Sequence, residues 1–148
     1  VKAVIQRVKS SEVIIDGERI SQIGRGILVL IGISVDDREE DVDILTSKIP
    51  GLRIFDDLHG KMNLSLSDIE GEMMVVSQFT LIADCRKGRR PSFTKAAPPE
   101  RAIQLYESFI KKCREKGIRV STGRFGAKMD VNLINDGPVT FVIDTHDI

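Results

Sequence analysis

Residues 73–76 (MMVV) form an apolar run with no alternation, which suits a strand covered on both faces. A longer run, residues 27–33 (ILVLIGI), is the most apolar of the chain and reads as a central strand. Gly32 within it points to the close approach of a helix or of a partner's backbone. Past Val76 the first run turns polar without any turn residue. Ser77, Gln78 and Thr80 bring two hydroxyls and an amide to the end of a core strand. Left unpaired there, each would cost roughly 1–3 kcal/mol. Such groups either hydrogen-bond to neighbours or face a ligand.

The rest of the chain supplies the other layers. Residues 1–8 and 12–15 read as two strands. Asp16-Gly17 is a strong hairpin signal leading into a third strand at 18–23. Residues 37–40 (DREE) read as a capping box that opens a helix, with Val42, Leu45 and Ile49 at helical spacing and Pro50-Gly51 ending or bending it. Strands are expected at 52–55 and 61–66 around a turn at 57–60, where His59 is a solvated turn residue. Pro98-Pro99-Glu100 starts a second helix. Its apolar stripe is Ala102, Tyr106, Phe109 and Cys113, flanked by Ile103 and Ile110; Lys111, Lys112 and Arg114 suit the helix dipole, and Gly117 caps it. Strands at 118–121, 130–134 and 139–144 follow, with an irregular segment at 123–129 and residues 135–138 joining the last two strands. The sum predicts an α+β fold: a mostly antiparallel, closed or nearly closed β-barrel with two helices packed outside.

At 148 residues, with 41% hydrophobic and 30% charged, the chain suits one domain with a real core. Its formal net charge is zero, so overall charge predicts no nucleic-acid affinity. Charge is instead local. Arg86, Lys87, Arg89 and Arg90 fall within five residues, with Lys95 nearby, directly after the candidate site strand, which makes them candidates for phosphate contact. Cys85 and Cys113 form no CxxC pair and are expected to be reduced thiols of a cytoplasmic protein. There is no signal peptide and no apolar run near ~20 residues, so no membrane span is expected. The two histidines make no metal-ligand pattern with these cysteines, and no metal or cofactor is expected. The sequence has no GxSxG elbow, no HExxH and no motif histidine beside Ser77 or Thr80. Thr80 alone is a poor nucleophile, which argues against a triad.

The strings SQFTL (77–81) and NDGPVT (135–140) resemble the signature motifs of the D-aminoacyl-tRNA deacylases, in the same order and spacing. The segments AVIQRV, LRIF, KGRRPSF and FGAKM support the resemblance, which covers nearly the whole chain. It implies hydrolysis of the ester joining a D-amino acid to the 3′ adenosine of tRNA. Main-chain N–H groups around Phe79 and Thr80 would hold the carbonyl, and the substrate's 2′-hydroxyl would help activate water. Ser77, Gln78, Phe79, Ala96, Phe125 and Met129 would line the adenosine and aminoacyl pocket. The resemblance further implies a homodimer in which a cis Gly137-Pro138 pair enters the partner's site and excludes L-amino acids, with Arg7 supporting that motif. Achiral glycine on tRNA would escape this exclusion. A non-catalytic tRNA-binding dimer and a threonine-type hydrolase of small esters are the rival readings; no DNA or membrane partner is implied.

Overall fold

Strand β1 (Lys2–Ile15) is the spine of the sheet. In this computed structural model, which describes residues 1–148, it runs unbroken where the sequence suggested two strands. Lys9, Ser10 and Ser11 lie between the two expected strands, but Ser11 is buried and its hydroxyl donates to the Asn132 carbonyl at 3.0 Å. Asp16 and Gly17, both at positive φ, turn the chain into β2 (Glu18–Ile23) as expected. After the break at Gly24 and Arg25 comes β3 (Gly26–Gly32). Both β2 and β3 pair antiparallel with β1, β2 against residues 11–15 and β3 against residues 2–8, so they lie end to end along one edge of it. The other edge is taken by β8 (Asp130–Asp144), antiparallel from Ile14 to Lys2.

Strand β8 is also continuous where two strands were expected. Its register against β1 slips between Gln6 and Val8: Thr140 pairs with Gln6, yet Asn135 pairs with Val8. Residues 136–139 therefore stand out from the ladder as a bulged segment rather than ending the strand.

The apolar runs pair with each other. β3 lies parallel to β6 (Glu72–Ser77), and β6 lies parallel to β7 (Arg119–Thr122). The sheet is thus mixed, with the main-sheet order β2-β1-β3-β6-β7. Parallel neighbours need long crossovers, and the two helices provide them: α1 (Glu39–Lys48) before β6 and α2 (Pro99–Glu115) before β7. Along β6, Met73 and Val75 pack into the larger core under the helices with Leu45, Leu105 and Phe109, while Met74 and Val76 fill a smaller core with Val8, Val13, Ile23 and Leu28. Each large side chain buried this fully contributes about 1.5–3 kcal/mol. The Ser21 hydroxyl donates to the Thr122 carbonyl at 2.8 Å, bringing β2 onto β7 and nearly closing the barrel.

Two local readings shift. The capping box lies one residue later than 37–40: Asp41 accepts the Arg38 N–H at 2.8 Å. Asp37 is instead buried and accepts the Ser34 N–H at 2.6 Å. Residues 52–55 are mostly irregular, and only β4 (Phe55–Asp56) pairs with β5 (Met62–Leu64). Ile49–Gly51 forms a 3-10 turn that ends the first helix. The α2 stripe is buried as the spacing predicts, with Leu105 added to it. Gly117, at φ +85°, closes that helix. Lys112 reaches across to Glu39 at 2.6 Å and Asp43 at 2.5 Å, joining the helices.

Gly26 sits inside the parallel ladder, where an added Cβ would come within 1.8 Å of the Glu72 carbonyl oxygen. That oxygen is backbone and cannot swing away. Gly26→Ala should lower stability by about 3 kcal/mol or more, whereas Gly51→Ala, with no atom within 4 Å of its Cβ, should be near neutral. Urea unfolding of both variants checks the contrast, and equal midpoints would refute the ladder's close fit.

Candidate active site

At its C-terminal end β6 passes from ladder to turn. The Gln78 N–H donates to the Ile31 carbonyl at 2.8 Å, the last bond between the two parallel strands' paths. Phe79–Ile82 then forms a 3-10 turn. The expected close approach at Gly32 is this turn: a Cβ there would lie 2.9 Å from the Gln78 carbonyl and 2.9 Å from Leu81 Cβ. As the first residues of the turn, Phe79 and Thr80 have N–H groups with no acceptor inside it, and neither donates to any other protein group. The Thr80 hydroxyl accepts from the Gln78 side-chain amide.

Beside this turn lies a cavity of about 680 Å³. Ser77, Gln78, Phe79, Ala96, Phe125 and Met129 all line it, so the structure gathers these predicted residues into one place. Thr80 stands next to it without lining it. None of the sixteen lining residues is acidic, basic, histidine, cysteine or tyrosine. The side-chain polar groups on offer are the Ser77 hydroxyl and the Gln78 amide. Cys113 is sealed in the core, where burial pushes its thiol up to about 12, so it is no nucleophile at neutral pH. The arrangement can seat a neutral, partly apolar group and offer main-chain donors to an oxygen at its edge.

The sequence reading missed Phe93. It lines the cavity and meets Phe79 edge to face, with ring centroids 5.1 Å apart, and both rings are exposed. Its sequence signal was its place at the end of the KGRRPSF segment, an aromatic residue in a basic loop to which no role was given. Within that loop Arg86 is not available as a lone cation. It grips Asp84 through two bonds, at 2.9 and 2.6 Å, which hold the Asp84 carboxyl well below the usual carboxylate range. Lys87, Arg89 and Arg90 are exposed and form no ion pair.

Gly137 and Pro138 do not line the cavity of their own chain. They lie exposed on the bulge of β8, joined by a cis bond. Arg7 is buried behind them. Its Nε donates to the Asp136 carbonyl at 3.0 Å and its Nη1 to the Ile54 carbonyl at 2.9 Å, with Asp56 at 3.3 Å. A Cβ on Gly137 would meet Val139 at 2.7 Å and Arg7 at 3.2 Å, and its φ of +136° also favours glycine.

A further cluster, Asp37, Asp41 and His146, brings potential ligand atoms within 4.8 Å of one another. These atoms are engaged already: Asp37 with the Ser34 N–H and His146, and Asp41 with the Thr145 hydroxyl and the Arg38 N–H. They tie the C-terminal turn to the start of α1. No helix is long and apolar enough to cross a membrane.

The chain's family and its relatives, matched over nearly the whole chain, make it a hydrolase of the deacylase class. It belongs to the D-Tyr-tRNA(Tyr) deacylase family, whose model matches residues 4–144. A D-aminoacyl-tRNA deacylase of Thermosipho africanus is 54% identical over 147 residues, covering 99% of each chain. That of Clostridioides difficile is 58% identical over 144 residues, covering 97% of each. Among solved structures, one titled c-Myc DNA Unwinding Element Binding Protein superposes with a TM-score of 0.91 at 44% identity, covering 97% of this chain and 98% of that one. A probable eukaryotic D-amino acid tRNA deacylase shares the fold at 18% identity, with a TM-score of 0.84 over 96% of this chain and 97% of that one.

Arg7 is the test of how the bulge is held. Arg7→Ala strips two main-chain carbonyls of a charged donor in a buried setting and should cost roughly 2–5 kcal/mol. Arg7→Lys should recover only part of this, because an ammonium cannot reproduce the two-directional fork. Denaturant midpoints of the three proteins should rank parent, lysine, alanine; a lysine variant as stable as the parent would contradict the fork.

Proposed function

We propose that the protein hydrolyses the ester between a D-amino acid and the 3′ adenosine of tRNA, releasing both. The observation that carries this reading is the pair of unpaired N–H groups, of Phe79 and Thr80, beside a cavity without a titratable side chain. Water adds to the ester carbonyl, the developing oxyanion is met by those N–H groups, and the intermediate collapses with the 3′-oxygen leaving and taking up a proton. The substrate's own 2′-hydroxyl orients the water. An aminoacyl ester is already activated, so placement and a few fixed donors suffice. Ser77, Gln78, Ala96, Phe125 and Met129 hold the adenosine and the aminoacyl group.

Chirality is selected in trans. In a homodimer, the Gly137-Pro138 backbone of a second copy, braced by that copy's Arg7, crowds the position of an L side chain and leaves a D side chain room. This is selection by a clash rather than by a better contact, so glycine on tRNA is not excluded. A second copy is supported by β8, whose outer edge has no partner strand and which exposes Ile134 and Val142. The protein acts in the cytoplasm, where its substrate is made.

Purified protein should release D-tyrosine from D-tyrosyl-tRNA and leave L-tyrosyl-tRNA intact. Thr80→Ala should keep activity within about tenfold, since its N–H survives, whereas loss of a true nucleophile costs several orders of magnitude. Binding without turnover would favour a tRNA-binding dimer. Turnover of small esters without RNA, lost in Thr80→Ala, would favour the threonine-type hydrolase.

Lys87, Arg89 and Arg90 are placed to meet tRNA phosphates, with Arg86 contributing less because of Asp84. Arg89→Ala/Arg90→Ala should weaken tRNA binding and flatten its salt dependence while leaving the D-over-L ratio unchanged. Unchanged affinity across a salt series would mark the loop as merely solvated.

A further inference from the structure

The segment between β7 and β8 supplies Phe125, Gly126, Ala127 and Met129 to the cavity wall, and it is fastened at two points. At the first, the Gly123 N–H donates to the Val75 carbonyl at 3.3 Å, and the same oxygen accepts the Tyr106 hydroxyl at 3.2 Å. The Tyr106 ring lies 5.6 Å from that of Phe125, centroid to centroid. Phe125 is thereby backed by helix α2. The second fastening holds Met129. Its Sδ accepts the Arg124 N–H at 3.4 Å and occupies the space beside Gly123, where an added Cβ would lie 2.5 Å from the sulfur.

The two glycines of this segment do different work. Gly126 has φ +77° and nothing within 4 Å of its Cβ position, so its backbone asks for glycine and its surroundings do not. Gly123 is the reverse: its φ lies outside the left-handed region, and the obstacle to a side chain is the Met129 thioether.

We propose that Gly123 is a positioning residue for the substrate cavity: its missing Cβ makes the seat of the Met129 sulfur and so fixes the wall against which the terminal nucleoside packs. This rests on the deacylase reading above. A thioether is flexible, so an alanine at 123 displaces Met129 at small cost to the fold. The wall then moves, and uniform binding of the substrate's nucleoside is lost while the donors at Phe79 and Thr80 stay in place.

The test is steady-state deacylation of D-tyrosyl-tRNA by the parent, Gly123→Ala, Met129→Ala and the double variant. Gly123→Ala should raise KM by about tenfold with kcat within about twofold of the parent. In the Met129→Ala background the same change should raise KM no further, because no sulfur remains to be displaced. If Gly123→Ala alone fails to fold while the double variant folds, the conflict between the Cβ and the sulfur is still established. An unchanged KM, an equal rise in both backgrounds, a fall in kcat alone, or failure of both variants to fold would overturn the proposal. A parent that turns over no D-tyrosyl-tRNA would strike at the deacylase reading itself, and this inference would fall with it.

Discussion

The parallel pairing of β3 with β6 is the contact on which the rest of the molecule depends. It brings together the two stretches that have no polar face, and so obliges the fold to cover both sides of the sheet. It also demands a crossover on each side of β6, which α1 and α2 supply. Gly26 and Gly32, near the two ends of the pairing, allow backbones to touch where a side chain would hold them apart. At the site end, the Gln78-to-Ile31 bond sets the residue at which ladder becomes turn. The two N–H groups beyond it are left without protein partners as a consequence of register, at the edge of the cavity.

Around this edge the molecule keeps formal charge at a distance. The cavity is lined by small apolar groups, aromatic rings, one hydroxyl and one amide. Arg7 is buried elsewhere and spends its donors on main-chain carbonyls. Tyr106 lies under the cavity wall, and burial pushes its phenol up to about 12, so it remains a proton donor to Val75 throughout the neutral range. A low-polarity enclosure of this kind strengthens whatever fixed dipoles it contains. Side chains with a pKa near neutrality would add reactivity that an already activated ester does not need.

Local chemistry was legible in the sequence and long-range chemistry was not. The Asp16-Gly17 turn, the α2 stripe and the doubly buried runs announce themselves because their signals lie within a few residues. The unity of β1 and of β8 did not, since it depends on partners more than a hundred residues away: Ser11 is acceptable in a core because the Asn132 carbonyl meets it, and residues 136–139 can stand out of a strand because Arg7 holds them. Asp37 looked like a helix cap and is a buried acceptor for the same reason, a partner (His146) at the other end of the chain. The family resemblance pointed to Ser77, Gln78, Phe79, Ala96, Phe125 and Met129, which line the cavity, whereas Phe93 stood in a matching segment without a role and Gly123 became visible only as a neighbour in space.

The pairing of the first strand with the last has a consequence for biosynthesis. Lys2 lies opposite Asp144, and Ile14 opposite Asp130. On a ribosome β1 meets β2 and β3 almost at once, but its other edge has no partner until β8 is made. Between the end of β3 at residue 32 and the start of β8 at residue 130 lie about 100 residues, or roughly 5–20 s of translation at 5–20 residues per second. For that interval the nascent chain carries a long strand, apolar on alternate residues, with one edge open, the kind of surface on which chains pair wrongly with each other. The spine strand therefore stays half-paired until the last strand emerges. Its second edge is covered late, and the bulge that carries Gly137 and Pro138 is laid down with the strand that covers it.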